Sequence, residues 1–407
     1  MGEKRSQTPS ATRRDLVRGA GLVTAGSLVS AFPMPAIAQV TKAPIRIGCL
    51  NVYNKAGGIY GQAIFEGLQL YLDQAGGKIA GRPVELLRED DEFNPQVALQ
   101  KARKLVESEK VQIVAGPLGS HIAAAIAAYM KKAGTPWIVT GAGSTDLTKG
   151  RLPHMFRATL SNWQVASTMG AWAAANLKRE AAVIASDYLA GHDIADAFRD
   201  SFVQGGGKVV KEIFTPPGTN DFSAYISDLV TSPPPMTYVF YSGSDAIRFV
   251  KQYDQFGLKA KSELVGFQST LDADTFSGQG DSALGAMSSS IYCETLDTPE
   301  NRAYVELFRE KKKSYPGVFD ESGYTAMRII DDAAKLIDGN VEDAAAFAAA
   351  LAKTNIKAPR GPVSFDQVTH QAIQNVYIRR VEKVEGVLRN EPIATVANVG
   401  DYPPNKA

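Results

Sequence analysis

Apolar and polar positions along this chain fall into two alternating patterns. Short apolar runs bounded by Gly, Pro, Asn or Asp give way to longer stretches in which apolar residues return every three or four positions. The first pattern marks a strand buried on both faces, the second an amphipathic helix. The spacing predicts strands over 44–50, 83–88, 111–115 and 137–140, with helices over 59–74, 95–108 and 122–133 between them. In the first helix Ile64, Leu68 and Leu72 recur at intervals of four and share one face. The alternation restarts at Trp163, with helices over 165–177, 193–204, 221–231 and 245–256 and strands over 181–186, 209–214, 237–241 and 262–265. Gly205-Gly206-Gly207 and Pro233-Pro234-Pro235 stop two of these helices. Helices over 302–314, 321–336 and 341–352 and strands over 361–365 and 376–381 follow. Two successive strand–helix arrays predict an α/β fold of two doubly wound parallel-sheet lobes.

The first 38 residues do not fit this alternation. Arg13-Arg14 precedes an apolar run from Gly19 to Phe32, and Ala36-Ile37-Ala38 ends it. A positive start, an apolar middle and an A-x-A site make an export signal, and the paired arginines point to the twin-arginine route. The run has 14 residues, whereas a spanning helix needs about 20. Cleavage after Ala38 and a periplasmic location are therefore expected.

Length and charge narrow the classes further. A chain of 407 residues exceeds the roughly 250–300 at which a single core stops growing, so two lobes are expected. Residues 39–407 carry 39 Lys/Arg against 41 Asp/Glu, a net charge of −2. That balance gives neither a nucleic-acid footprint nor a polybasic membrane patch. Cys49 closes the first strand and Cys293 is placed in a later one, as two separate buried thiols.

In open α/β sheets a ligand sits off the carboxyl ends of the strands. The segments there contain Gly57-Gly58 and Tyr60, Gly116-Pro117-Leu118-Gly119-Ser120, Ser144-Thr145, Asp187-Tyr188, Tyr241-Ser242 and Gly266-Phe267-Gln268-Ser269. Hydroxyls and free backbone N–H groups at helix starts attract an anion, and tyrosine rings supply flat walls. Singly, each serine reads as well as a helix cap and each tyrosine as packing. Recurrence across these tips favours a site for a small carboxylate.

Catalytic readings fail. His121, His154, His192 and His370 share no metal-ligand spacing, and no G-x-S-x-G elbow occurs. Gly141-Ala142-Gly143 lacks the third glycine of a dinucleotide loop, Asp146 standing in its place. Asp90-Asp91-Glu92 reads as a turn leading into a cap at Asn94-Pro95. Without a nucleophile–base pair the chain is not expected to be an enzyme, and no metal or cofactor is called for.

The ordered set Ile59-Tyr60-Gly61, Asp90-Asp91 with Asn94-Pro95, Gly116 to Ser120, Gly143 to Thr148, Ser186 to Gly191, Ser244 to Ile247 and Tyr324-Thr325-Ala326 resembles the type I periplasmic substrate-binding proteins, in the leucine/isoleucine/valine-binding branch. The resemblance implies two lobes joined by three crossover strands near 157–161, 292–296 and 365–371. It implies an N-terminal lobe of 39–158 and 297–365 and a C-terminal lobe of 159–296 and 366–407. By position Ser120, Ser144 and Thr145 match its carboxylate binders. Tyr60, Tyr188 and Tyr241 match its ring contacts, and Tyr324 does so less closely. Where the amino-acid binders carry an acid for the α-ammonium, this chain has Gln268. An amide does not offset the desolvation of a buried ammonium, so a carboxylate ligand without one is expected, unless Asp187 or Asp272 supplies the charge. The implied partners are that ligand and the permease and ATPase subunits of an ABC transporter, with the chain itself monomeric. A periplasmic sensor for a signalling receptor is the alternative use of the same fold, and an exported hydrolase a more distant one.

Overall fold

The computed structural model describes Gly2 and residues 43–55 and 57–401. Apart from Gly2, the export segment expected over 1–38 lies outside them. Among the described residues the first sheet has six strands: β1 (Ile45–Asn51), β2 (Lys78–Ile79), β3 (Arg82–Asp90), β4 (Ile113–Ala115), β5 (Trp137–Val139) and β6 (Met155–Arg157). Their order is β2-β3-β1-β4-β5-β6, parallel except for the short β2. Ile47 pairs with Leu86 on one side and Ile113 on the other. Such a central strand is mostly apolar because helices cover both faces.

The second sheet contains β7 (Glu180–Ser186), β8 (Lys208–Thr215), β9 (Met236–Phe240), β10 (Glu263–Phe267), β11 (Met287–Ser290), β12 (Asn355–Ala358), β13 (Gly361–Phe365), β14 (Ala372–Val384) and β15 (Val387–Val399). Its order is β12-β13-β14-β11-β10-β9-β7-β8, with β15 on β14. The β14–β15 ribbon turns at Glu385-Gly386, both at positive φ, the backbone that a two-residue hairpin needs. The spacing missed β15 because nearly all its side chains are exposed or half-buried, so no buried alternation marks it.

The helix Gly58–Gln74 crosses the late helix Val318–Lys335 at very close range. A Cβ at Gly67 would stand 2.0 Å from the Asp320 carbonyl, and one at Gly323 would stand 2.1 Å from that of Ile64. Two glycines thus let the late helix pack onto the first lobe. The helix Pro95–Arg103 begins as expected: Asn94 Oδ1 accepts from Gln96 N at 2.9 Å and Val97 N at 3.2 Å. Replacing an N-cap costs about 1 kcal/mol. Asn94→Ala is expected to lower stability by that amount in a denaturant titration, while Asn94→Asp stays near the native value.

The chain passes from the first sheet to the second over 158–161 and back over 291–298. The third passage differs from expectation. Residues 355–365, assigned from the resemblance to the N-terminal lobe, pair into the second sheet through β14. The long β14 extends past its neighbour β11, and β13 pairs with it there, at Ala372 to Gln374. Beside it, Gln371 bridges to Arg157 of β6, so the sheets touch at this hinge. Gln164 Nε2 donates to the carbonyls of Ala372 and Val399, and Gln371 Nε2 and Gln374 Nε2 donate to that of Thr159. Buried amides thus satisfy backbone groups that irregular crossovers leave over. Cys49 and Cys293 are both free and buried. Cys293 lies in the second crossover rather than in a strand. Burial pushes both thiols up to about 12.

Candidate functional site

A cavity opens where the carboxyl ends of the two sheets face each other, with an empty volume of about 670 Å³ that includes open solvent. The first lobe contributes Gly57, Phe93, Leu118, Gly119, Ser120, Gly141 and Gly143, and the late helix contributes Phe319. The second lobe contributes Ser186, Tyr188, Phe240, Ser242, Asp245, Phe267 and Ser269.

Ser120 begins the 14-residue helix Ser120–Ala133, and Gly119 before it is extended and supplies no side-chain cap. The first backbone N–H groups of that helix are left for a ligand, and the helix dipole adds positive potential. Gly141 and Gly143 keep the neighbouring loop close. A Cβ at Gly141 would approach Leu118 Cα to 2.8 Å, and one at Gly143 would lie 2.2 Å from Asn162 Oδ1.

Aromatic rings form the opposite walls. Phe240 meets Phe267 edge to face at 5.4 Å and Tyr188 at 5.9 Å, and Phe93 meets Tyr188 at 5.9 Å. The acidic triplet explains Phe93. Asp91 Oδ1 accepts from Phe93 N at 2.8 Å, and Asp90 Oδ1 accepts from Glu92 N at 2.9 Å. These bonds hold Glu92 and Phe93 at φ of 53° and 57°, a conformation that costs energy outside glycine and swings the ring inward. Burial pushes Asp91 up to about 6. His121, the residue after Ser120, packs edge-on against Phe93 at 4.4 Å and donates from Nε2 to the Phe93 carbonyl at 3.3 Å. Burial lowers its pKa, so it is a neutral prop behind the wall.

Of the expected residues, Ser120 and Tyr188 line the cavity. The others lie elsewhere. Tyr60 is buried, packs on Phe319 at 4.5 Å and donates to the Ser269 carbonyl at 2.6 Å, a bond between the lobes. Ser144 and Thr145 already hold an anion, the carboxylate of Asp193 in the second-lobe helix Leu189–Gln204. Thr145 N donates to Asp193 Oδ2 at 3.2 Å, and the Ser144 hydroxyl also bonds this carboxylate. Tyr241 is buried in the second-lobe core, its hydroxyl 3.0 Å from Thr215 Oγ1 and its ring 4.8 Å from that of Phe249. Gln268 is buried and accepts from Ser290 Oγ at 3.2 Å and Ile291 N at 3.3 Å. Tyr324 donates to Gln74 Oε1 at 2.6 Å, against Tyr304 and Tyr71 and away from the cavity.

The error at two strand tips is a matter of phase. Side chains alternate along a strand, and at the ends of β9 and β10 the residues turned inward are Phe240 and Phe267. Their successors Tyr241 and Gln268, matched by position through the resemblance, are buried inside the second lobe, and the aromatic residues at the very last strand position are the signal available in the sequence.

Neither acid proposed for an ammonium reaches the cavity. Asp187 is exposed and pairs with His192 at 2.8 Å. Asp272 is buried, accepts from Val318 N and Ala273 N at 2.9 Å, and faces Arg379. The acid among the described lining residues is Asp245, which accepts from Gly218 N at 2.7 Å and pairs with Arg248. No group of three or more His, Cys, Asp or Glu suited to a metal occurs among the described residues.

Two lobes meeting around an aromatic cleft, joined by short crossovers, define a hinged small-molecule-binding protein. Residues 44–386 match the model of the periplasmic binding protein family, and the chain belongs to that family. It is 28% identical over 368 residues to Leu/Ile/Val-binding protein homolog 6 of Brucella melitensis, spanning 88% of this chain and 93% of that protein. An ABC transporter substrate-binding protein from Sphaerobacter thermophilus is 35% identical with a TM-score of 0.83, over 88% of this chain and 99% of the other. A solute-binding protein of an ABC transporter from Rhodopseudomonas palustris BisB5, solved with 3,4-dihydroxybenzoic acid, is 30% identical with a TM-score of 0.85, over 89% and 99%. These relatives are binding proteins of ABC transport type rather than enzymes. Among the described residues no helix is long and apolar enough to cross a membrane.

Proposed function

We propose that this chain captures a small aromatic carboxylate between its lobes in the periplasm and delivers it to an ABC permease and its ATPase, acting as a monomer without a cofactor. One observation carries the ligand class: the cavity joins an open helix start at Ser120 to the rings of Phe93, Tyr188, Phe240, Phe267 and Phe319, and Asp245, its acid, is already paired. A carboxylate fits against the free N–H groups, and a benzene ring fits between aromatic walls. An α-ammonium buried there would lack a counter-charge, which is expensive. The relative solved with 3,4-dihydroxybenzoic acid supports this ligand class. The expected export signal over 1–38 supports the location.

Titration calorimetry tests the reading. Benzoate, 4-hydroxybenzoate or 3,4-dihydroxybenzoate is expected to bind at least about 100-fold more tightly than leucine, a gap of about 2.7 kcal/mol. Tight leucine binding with no heat from the aromatic acids overturns it.

A further inference from the structure

Two carboxyl groups with no cation of their own meet where the lobes close. Asp274 belongs to the second-lobe helix Ala273–Gln279, and Asp320 to the first turn of Val318–Lys335, packed on the first lobe. Both converge on Gly317. Gly317 N donates to Asp320 Oδ2 at 2.9 Å, and a Cβ at Gly317 would stand 2.5 Å from Asp274 Oδ2. Asp320 is buried, and Asp274 Oδ2 is shut off from water. Asp274 Oδ2 finds no hydrogen-bond donor among the described residues, and a buried carboxyl without a donor, next to a second carboxyl, is held in its protonated form.

The surrounding charges are already committed. Asp272, next on the second-lobe side, takes Val318 N and lies 3.9 Å from Arg379 of β14. Glu66 of the helix Gly58–Gln74 pairs with Lys312 at 2.8 Å. Glu321 pairs with the buried Arg360 at 3.0 Å. Glu294 of the second crossover accepts from Asn390 N at 2.8 Å, and burial raises it to about 7. Tyr60, Tyr292 and Tyr304 are buried, and burial raises their hydroxyl pKa values.

We propose that closure of the lobes on ligand takes up one proton from solvent, held between Asp274 and Asp320, so that ligand affinity rises as pH falls. The inference rests on the hinged-capture reading above. With the lobes apart, each carboxyl meets water and titrates near about 4. In the closed form burial and the neighbouring carboxylates raise both, Asp320 to about 8. The closed form therefore binds the extra proton between those values. The gain in affinity is complete below the open-form pKa and is lost as pH rises through the closed-form pKa, by up to about tenfold per pH unit. Rupture of the pair at higher pH leaves two buried anions facing each other and favours opening.

Calorimetry of benzoate or 3,4-dihydroxybenzoate binding near about pH 6.5, in buffers of different ionisation enthalpy, counts the proton. Both probes are single anions there. Close to one proton taken up per ligand is expected, with affinity falling about tenfold from pH 6 to pH 7. Asp274→Asn and Asp320→Asn mimic the protonated acid and should bind with little uptake and a flat pH profile. Binding without uptake in the native chain overturns the proposal, as does uptake that persists in both variants or disappears instead in Glu294→Gln. If neither probe nor leucine gives heat, the capture reading fails. The pair is then read by the infrared carbonyl stretch of a protonated carboxyl at neutral pH. A band lost in Asp274→Asn supports the shared proton, and no band in the native chain overturns it.

Discussion

Arg379→Met is expected to destabilise the protein by about 3–5 kcal/mol, the range for breaking a buried charged network from one side. Arg379 is buried in β14 at the hinge. It donates from Nε to Ser288 Oγ at 2.9 Å and to the carbonyls of Tyr292, Gln268 and Leu271 at 2.8, 3.1 and 2.8 Å. It also faces Asp272. One guanidinium thus ties the loop after β10 to the second crossover and offsets a buried carboxylate. Methionine fills much of the volume but leaves several acceptors without a donor and one buried anion without its counter-charge. Arg379→Lys restores the charge but not the planar fork of donors and should recover only part of the loss. The measurement is the midpoint of a urea titration followed by circular dichroism. A loss under about 1 kcal/mol for Arg379→Met would show that these acceptors find other partners.

Phe240→Ala and Phe267→Ala are each expected to weaken aromatic-acid binding by about 10- to 100-fold. Removing a ring from a cavity wall forfeits about 1.5–3 kcal/mol of burial, which converts directly to affinity. Tyr241→Phe, one position further along the same chain, is expected to leave affinity within about twofold and to cost about 1 kcal/mol of stability, the worth of its bond to Thr215. Calorimetry on the three variants with 3,4-dihydroxybenzoate, alongside thermal melts, reads both effects. Loss of binding in Tyr241→Phe with full binding in the alanine variants would reverse the phase assigned to these strand ends. The three variants therefore test the placement of the rings separately from the identity of the ligand.

The elements themselves were legible because their signals are local. The run of β1 reads as a central strand in isolation, and Asn94-Pro95 reads as a helix start because cap and helix are neighbours in sequence. Ser120 was legible as a cavity residue for the same reason: a glycine-rich turn followed by a helix leaves backbone N–H groups free at a strand tip. Ser144-Thr145 carries an equally good local signal, yet its seat is taken by Asp193. Nothing near residue 145 announces a carboxylate arriving from a helix of the other lobe. Phe93 was missed because the acidic triplet before it reads as a turn, and only the folded loop shows which ring the turn carries inward.

Pattern and composition by themselves determined an α/β chain of two lobes, with hydroxyls and aromatic rings at the strand tips. The tertiary structure decided which tip residues face the cavity, that 355–365 joins the second sheet, and that Asp274 and Asp320 meet. The division has a physical cause. Periodicity and capping act over a few residues and leave their mark in the sequence. The contents of the cleft depend on the phase of each strand end and on side chains brought from the opposite lobe, and both are set only when the sheets pack against each other.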